Sequence, residues 1–174
     1  MQILTRKATL RDIPPLLSLI NGFAGKGIML PRTEFEMVEN LRDFTIVCAG
    51  ERIVGCGALH LYTPREAEIR SLAVDSTWQG HHLGALLVRA LEQEARELGL
   101  EALFAFTYVD KFFMKLGFRH VDRGELPLKA WKDCLRCPKF QCCDEIAMLK
   151  PLIDAYTTVT LRAHTDLVAF PSVT

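Results

Sequence analysis

The sequence predicts an α+β domain. Its apolar patterning runs strand, two helices, three strands, helix, strand, helix and closing strands. The stretch Glu68–Gly84, EIRSLAVDSTWQGHHLG, reads as a strand, a glycine-bearing loop and the start of a long amphipathic helix. A length of 174 residues suits one domain with a substantial core.

Each element has a local reason. Ile3–Ala8 forms a first strand. Thr9 with Asp12 opens a helix that accepts Pro14 and Pro15 near its start and carries Leu16, Leu17, Leu19, Ile20 and Phe23. Gly25-Lys26-Gly27 ends it, and Met29–Arg32 is an irregular connection. Thr33 with Glu36 is a capping box for a short helix through Leu41. Phe44–Ala49 and Arg52–Tyr62 are strands joined by a tight Gly50-Glu51 turn. After Thr63–Glu66, the strand Glu68–Val74 alternates. It presents Glu68, Arg70, Leu72 and Val74 on one face and Ile69, Ser71 and Ala73 on the other.

The helix Leu83–Leu98 repeats apolar residues at Leu83, Leu86, Leu87, Ala90, Leu91, Ala95 and Leu98. Ala102–Val109 is nearly all apolar or aromatic, as a central strand should be. Asp110 caps a short helix, Lys111–Leu116, and Gly117 stops it. Phe118–Asp122 and Glu145–Leu149 close the sheet, and residues 150–174 form an extension, either a last strand or a tail.

Composition narrows the function classes. Twenty-one basic residues balance twenty-one acidic ones, which gives no argument for nucleic acid or an anionic membrane surface. No apolar run reaches the roughly 18 residues of a membrane span. The N-terminus, MQILTRKATLRD, has no signal-type apolar stretch, so a cytoplasmic protein is expected.

Of six cysteines, Cys48 and Cys56 lie in strands as small core residues. The other four crowd into WKDCLRCPKFQCCDE, residues 131–145. In a cytoplasmic setting this pattern suits a metal or redox site better than a disulfide framework. Cys134, Cys137 and Cys142 are candidate ligands of a structural zinc ion, with Asp144, His120 or water as the fourth. A redox switch and a loop of four reduced thiols are the competing readings.

The start of the long helix offers free N–H groups and the positive end of a dipole, a natural seat for a pyrophosphate. Gln79-Gly80-His81-His82-Leu83-Gly84 resembles the Gln/Arg-x-x-Gly-x-Gly/Ala acyl-CoA motif of the GCN5-related N-acetyltransferases (GNAT family), with His82 in place of the middle glycine. Phe112-Phe113-Met114-Lys115-Leu116-Gly117-Phe118 resembles that family's Phe-Tyr-x-x-Leu-Gly-Phe turn. With the element order, the resemblance covers residues 2–149.

It implies a mixed, mostly antiparallel sheet of six to seven strands, flanked by four helices and splayed between the fourth and fifth strands. It also implies a GNAT domain over residues 1–149, with the cysteine-rich loop 134–143 inside it and the extension 150–174 after it. The implied cosubstrate is acetyl-CoA. Its pantetheine would pair with the backbone of Leu72, Ala73 and Val74, and its pyrophosphate would lie on Gln79, Gly80, His81, His82, Leu83 and Gly84, with Phe113 beside it.

Acetyl transfer needs a base for the amine, a donor for the oxyanion and a proton for the thiolate. Phe113 stands where many family members carry a tyrosine acid. Tyr108 is the nearest substitute in sequence, against a plain packing role. Glu68 and His60 are the candidate bases.

Arg32, in the loop between the first two helices, and Arg70 suit an acceptor with two carboxylates. Leu30-Pro31-Arg32, Glu39–Phe44 and Glu68–Val74 resemble the short, stand-alone N-acetylglutamate synthases. The implied reaction is acetylation of the α-amine of L-glutamate, the first step of arginine biosynthesis, without arginine feedback through an amino-acid-kinase domain. Competing readings are another small-molecule or protein amine as acceptor, or a non-catalytic acyl-CoA sensor that reports through the cysteines. The expected partners are an amino-acid acceptor and, as one option for assembly, a second copy of the chain, with neither nucleic acid nor membrane.

Overall fold

The computed structural model describes residues 2–127 and 143–156. Among the described residues, seven strands form one sheet: β1 (Ile3–Lys7), β2 (Phe44–Ala49), β3 (Arg52–Leu61), β4 (Glu66–Val74), β5 (Ala102–Thr107), β6 (Arg119–His120) and β7 (Ile146–Pro151). Their order across the sheet is β1-β2-β3-β4-β5-β7-β6. Of these strands, only β4 and β5 pair in parallel, and they do so over three residues, Glu66–Glu68 against Ala102–Phe104. Beyond that point β4 and β5 are no longer paired, while β5 stays paired to β7 as far as Thr107. The sheet is therefore mixed, mostly antiparallel and splayed between β4 and β5.

Among the described residues, four α-helices flank it: α1 (Ile13–Ala24), α2 (Glu34–Glu39), α3 (Leu83–Glu97) and α4 (Asp110–Met114). α3 buries Leu83, Leu87, Val88, Leu91 and Ala95, the stripe its 3.6-residue period predicts. On one face of the sheet Val88, Leu91 and Ala95 meet Leu59, Ala67, Ile69, Leu103 and Phe113. On the other, Ile13, Leu16 and Ile20 of α1 and Met37 of α2 meet Phe44, Ile46, Cys56, Ala58 and Ala73. Gly55 and Gly57 let α3 lie close on β3. A Cβ at Gly57 would stand 3.1 Å from both Leu72 Cδ1 and Leu91 Cδ1.

The strict alternation expected along β4 does not hold. Cys56 pairs with Ala73 and Ala58 with Arg70, so Ser71 and Leu72 together oppose Gly57. This is a β-bulge, with Ser71 at φ +51°. The extra residue moves Leu72 and Val74 to the α3 face beside Ile69. Ala73 instead shares the α1 face with Arg70. The Cys56 thiol donates to the Ser71 carbonyl at 3.5 Å and supports the bulge from β3. Burial pushes that thiol up to about 12. An alkylating reagent at pH 8 should therefore spare Cys56 in the native protein and label it only after denaturation. Peptide mass spectrometry reads this, and native labelling would contradict it.

The Thr33–Glu36 capping box forms as expected. At the start of α1, Asp12 accepts from the Thr9 N–H at 2.7 Å, the Thr9 hydroxyl at 2.8 Å and Arg6 Nη1 at 2.7 Å. The Arg6 hydrogen bond foremost, and then Thr9, hold this buried carboxyl well below the usual carboxylate range. A depressed folded-state value stabilises above the unfolded value of about 3.9 and is lost as pH falls through the carboxylate range. In urea titrations Asp12→Asn should cost about 1–2 kcal/mol at pH 7. The deficit should shrink as pH falls from about 5 towards 3. A deficit constant with pH would contradict the ionic account.

The last described residues tie back to the sheet. The Tyr156 hydroxyl meets Glu66 Oε1 at 3.1 Å, and Glu66 also accepts from Thr63. Arg65 crosses to Glu101 at 2.7 Å. These contacts lie where β4 and β5 begin, so the two strands are clamped at one end and part at the other.

Candidate active site

Two groups of candidate residues lie along and just past β4 where it is no longer paired with β5. The first is at the start of α3. Asp75 closes β4 by accepting from the Thr77 N–H at 2.9 Å and the Thr77 hydroxyl at 2.7 Å, and Arg52 reaches it at 2.6 Å. The Thr77 hydrogen bonds, with Arg52, hold the Asp75 carboxyl below its ordinary value. Gln79 Nε2 donates to the Val74 carbonyl at 3.2 Å. Gly80 then turns with φ +82° and His82 with φ +59°.

His82 N-caps α3 with no side-chain hydrogen bond, and the first turn of the helix carries no acidic residue. The N–H groups of Leu83, Gly84 and Ala85 precede the first intrahelical bond, Leu86 N–H to the His82 carbonyl at 3.0 Å. No carboxylate of the helix competes for them, so the electropositive end faces outward. A Cβ at Gly84 would stand 3.3 Å from the Phe112 ring, so the bare backbone is what admits α4 there.

The left-handed backbone at His82 tolerates glycine best. His82→Gly should therefore keep or raise the melting temperature. The β-branched His82→Val should cost roughly 1 kcal/mol. Differential scanning calorimetry decides, and a Val variant as stable as the Gly one would contradict the assigned strain.

The second is on the α1–α2 side of the sheet. Glu68 is buried, opposite His60 across β3 and opposite Phe104 across β5, at the last β4–β5 pair. Arg70 follows two residues later, with its side chain 11% exposed. Its Nη2 lies 3.3 Å from Asn40 Oδ1, 3.0 Å from His60 Nδ1 and 4.0 Å from Asp43 Oδ2. His60 Nδ1 lies 2.6 Å from the same Asp43 oxygen. The Tyr62 ring meets the His60 ring edge-on, with centroids 5.0 Å apart. Arg32 belongs to the α1–α2 loop, where Asn21 of α1 brackets its backbone with two hydrogen bonds of 2.9 Å.

The candidates drawn from the sequence thus fall into groups. Leu72, Ala73 and Val74 lie at and after the bulge, where β4 still pairs with β3 but no longer with β5, and Gln79–Gly84 form the loop and first turn of α3. Glu68, His60 and Arg70 share one face beside the splay. Tyr108, 38% exposed, stands just past β5, where the Thr107 hydroxyl accepts the Val109 N–H at 3.0 Å and bends the chain into α4. Phe113 is buried in the core between Phe112 and Phe118, and its neighbour Phe112 is the ring that lies on Gly84.

Cys134, Cys137 and Cys142 lie outside the described residues. Among the described residues no group of three His, Cys, Asp or Glu is arranged to hold a metal, and His120 pairs with Asp110 at 2.9 Å. Among them, too, no helix is long and apolar enough to cross a membrane. A cavity of about 610 Å³ is lined by α1, the β2–β3 turn, and Asp75 and Ser76 just after β4.

Asn40 and Asp43 had no role in the sequence reading. The signal was there: both sit within Glu39–Phe44, but only the folded chain shows that this turn runs beside β3 and β4.

Comparison with known proteins agrees with this geometry. The profile of the Acetyltransferase (GNAT) family matches residues 22–118. An uncharacterized N-acetyltransferase of Chlorobaculum tepidum is 39% identical over 147 residues, covering 84% of this chain and 95% of the relative. An amino-acid acetyltransferase of Mycobacterium tuberculosis is 34% identical over 134 residues, covering 75% of this chain and 76% of the relative. Among solved structures, the N-acetylglutamate synthase of Neisseria gonorrhoeae, complexed with coenzyme A and N-acetyl-glutamate, matches with a TM-score of 0.80 at 26% identity. That match covers 88% of this chain and 36% of the gonococcal one, so the present chain corresponds to about a third of that protein. A Mycobacterium tuberculosis protein in complex with CoA matches with a TM-score of 0.74 at 28% identity, over 86% of this chain and 99% of that one. On the extent of the profile match and the identity of these relatives, the chain belongs to the GNAT family of acetyltransferases and is an acyltransferase.

Proposed function

We propose that this enzyme transfers the acetyl group of acetyl-CoA to the α-amine of L-glutamate. One observation carries the reading: β4 parts from β5 at Glu68, two residues before Arg70, so the slot for an acyl group and an arginine-bearing face open at the same point of one strand. The relatives named amino-acid acetyltransferase and N-acetylglutamate synthase support the same acceptor class.

In this reading the pantetheine arm lies along the open edge of Leu72, Ala73 and Val74. The N–H groups of α3 receive the pyrophosphate, with Gln79, Gly80, His81 and His82 shaping the approach. Arg32 and Arg70 hold the two carboxylates of glutamate, because guanidinium matches carboxylate in two parallel hydrogen bonds. Glu68 takes a proton from the ammonium group, directly or through water. The freed nitrogen lone pair attacks the thioester carbonyl. The oxyanion that forms is met by a backbone N–H of the β4 bulge, whose extra residue stands outside the ladder. As the C–S bond breaks, the nitrogen gives up its second proton through water, which leaves the neutral amide, and the thiolate takes a proton from Tyr108 or from water. The thiol's ordinary value near 8.5 makes it a good leaving group.

The test is release of free thiol from acetyl-CoA across glutamate, glutamine, aspartate and spermidine. Turnover with glutamate well above the other three is the expected result. Preference for spermidine would overturn the acceptor assignment, since a cation would not be drawn to Arg32 and Arg70.

A further inference from the structure

We propose that His60, pinned by Asp43, is a positioning residue: a spacer that keeps the Arg70 guanidinium from closing onto Asp43 and in position for the carboxylate of the acceptor. The inference rests on the acceptor role given to Arg70 above. Three elements converge here. Asp43 comes from the turn before β2, His60 from the end of β3 and Arg70 from the middle of β4.

The distances conflict unless one of them is repulsive. Nδ1 of His60 is 2.6 Å from Asp43 Oδ2 and 3.0 Å from Arg70 Nη2. A ring nitrogen carries either a hydrogen or a lone pair in its plane. The shorter contact is to a carboxylate, which only accepts when ionised, so the hydrogen lies between Nδ1 and Asp43. Arg70 Nη2 is also a donor and therefore makes no hydrogen bond to that nitrogen.

The imidazole stands as a wedge. It holds Arg70 Nη2 at 4.0 Å from the Asp43 oxygen, well beyond the roughly 2.8 Å of a closed ion pair. Asn40 Oδ1 at 3.3 Å steadies the guanidinium, and the Tyr62 ring backs the imidazole. Take the wedge away and Arg70 is drawn onto Asp43, a carboxylate of the protein itself, and lost to the carboxylate of the acceptor.

A rescue experiment tests this. His60→Ala should raise the KM for glutamate about tenfold or more, as a misplaced binding group does. The KM for acetyl-CoA should stay within about twofold, since the α3 cradle is untouched. Adding Asp43→Asn to His60→Ala should bring the glutamate KM back towards the parent value, because the charge that captures Arg70 is gone. His60→Asn, whose side-chain N–H can still donate to Asp43, should stay near the parent. If His60→Ala does not fold, His60→Ser, which also removes the bulk of the ring but keeps a polar group, takes its place, and the same second-site rescue applies to it.

A double variant as impaired as the single, or a parallel rise in both KM values, would overturn the spacer. Arg70→Ala separates the two claims. If it leaves the glutamate KM unchanged, the acceptor reading itself fails. If it raises that KM while His60→Ala does not, only the spacer fails.

Discussion

Replacing Arg70 by alanine raises the KM for glutamate about a hundredfold, equivalent to roughly 3 kcal/mol of lost binding. The KM for acetyl-CoA stays within about twofold. The asymmetry follows from where Arg70 stands. It lies on the α1–α2 face of β4, among Asn40, His60 and Asp43, whereas the proposed acyl-CoA elements are the β4 edge beyond its pairing with β5 and the start of α3. Hydrogen bonds to charged groups are among the strongest single contributions a side chain makes. Lysine at this position should recover only part of the loss, because a point charge lacks the fork that fits a carboxylate. Steady-state kinetics with each substrate varied in turn reads the result. Equal changes in both KM values would remove Arg70 from the acceptor site.

The second large effect is on the scaffold. Gly55→Val should destabilise the fold by roughly 3 kcal/mol and raise the KM for acetyl-CoA. A Cβ at Gly55 would lie 3.2 Å from the Ala73 carbonyl and 3.2 Å from Leu87 Cδ1. The first is backbone of β4 just past the bulge, and the second belongs to α3. Neither a strand backbone nor a packed leucine moves freely, so β4 or α3 must shift. Both carry the proposed acyl-CoA contacts, which is why a change on β3 should be felt there. Gly50, which has nothing within 4 Å of its would-be Cβ but turns at φ +61°, is the control. Gly50→Asn keeps a side chain that tolerates that conformation and should leave the acetyl-CoA KM unaltered. Urea denaturation and kinetics together decide. A Gly55→Val enzyme of parental stability would show that β3 and α3 have room to spare.

The order of elements was legible because its signals are local. Thr33 with Glu36 predicted its helix start, and the leucine stripe of α3 its buried face. The GNAT resemblance added the splay, which no local signal in β4 announces. Strand ends were less legible. β4 begins at Glu66 rather than Glu68, and β6 is only Arg119–His120. The faces of β4 were misread beyond Arg70, because alternation assumes an unbroken ladder and nothing in Ser71-Leu72 marks a bulge. The candidate site was half legible. Motifs pointed to the α3 loop, and charge chemistry pointed to Arg70. Asp43 and Asn40 became visible only through contacts between residues 10 to 30 positions apart in the chain. In the same way Phe113 matched a motif position, yet its ring packs in the core and Phe112 lies on Gly84.

The most direct test of the whole account is to follow the acetyl carbon itself. The enzyme is given acetyl-CoA labelled with carbon-13 in the acetyl carbonyl, with L-glutamate in excess, and the reaction is watched by NMR. The account predicts that the thioester signal is replaced by one amide signal, that of acetyl on the α-nitrogen of glutamate, at the rate of thiol release. Thioester that persists, or is converted only to free acetate, would contradict it.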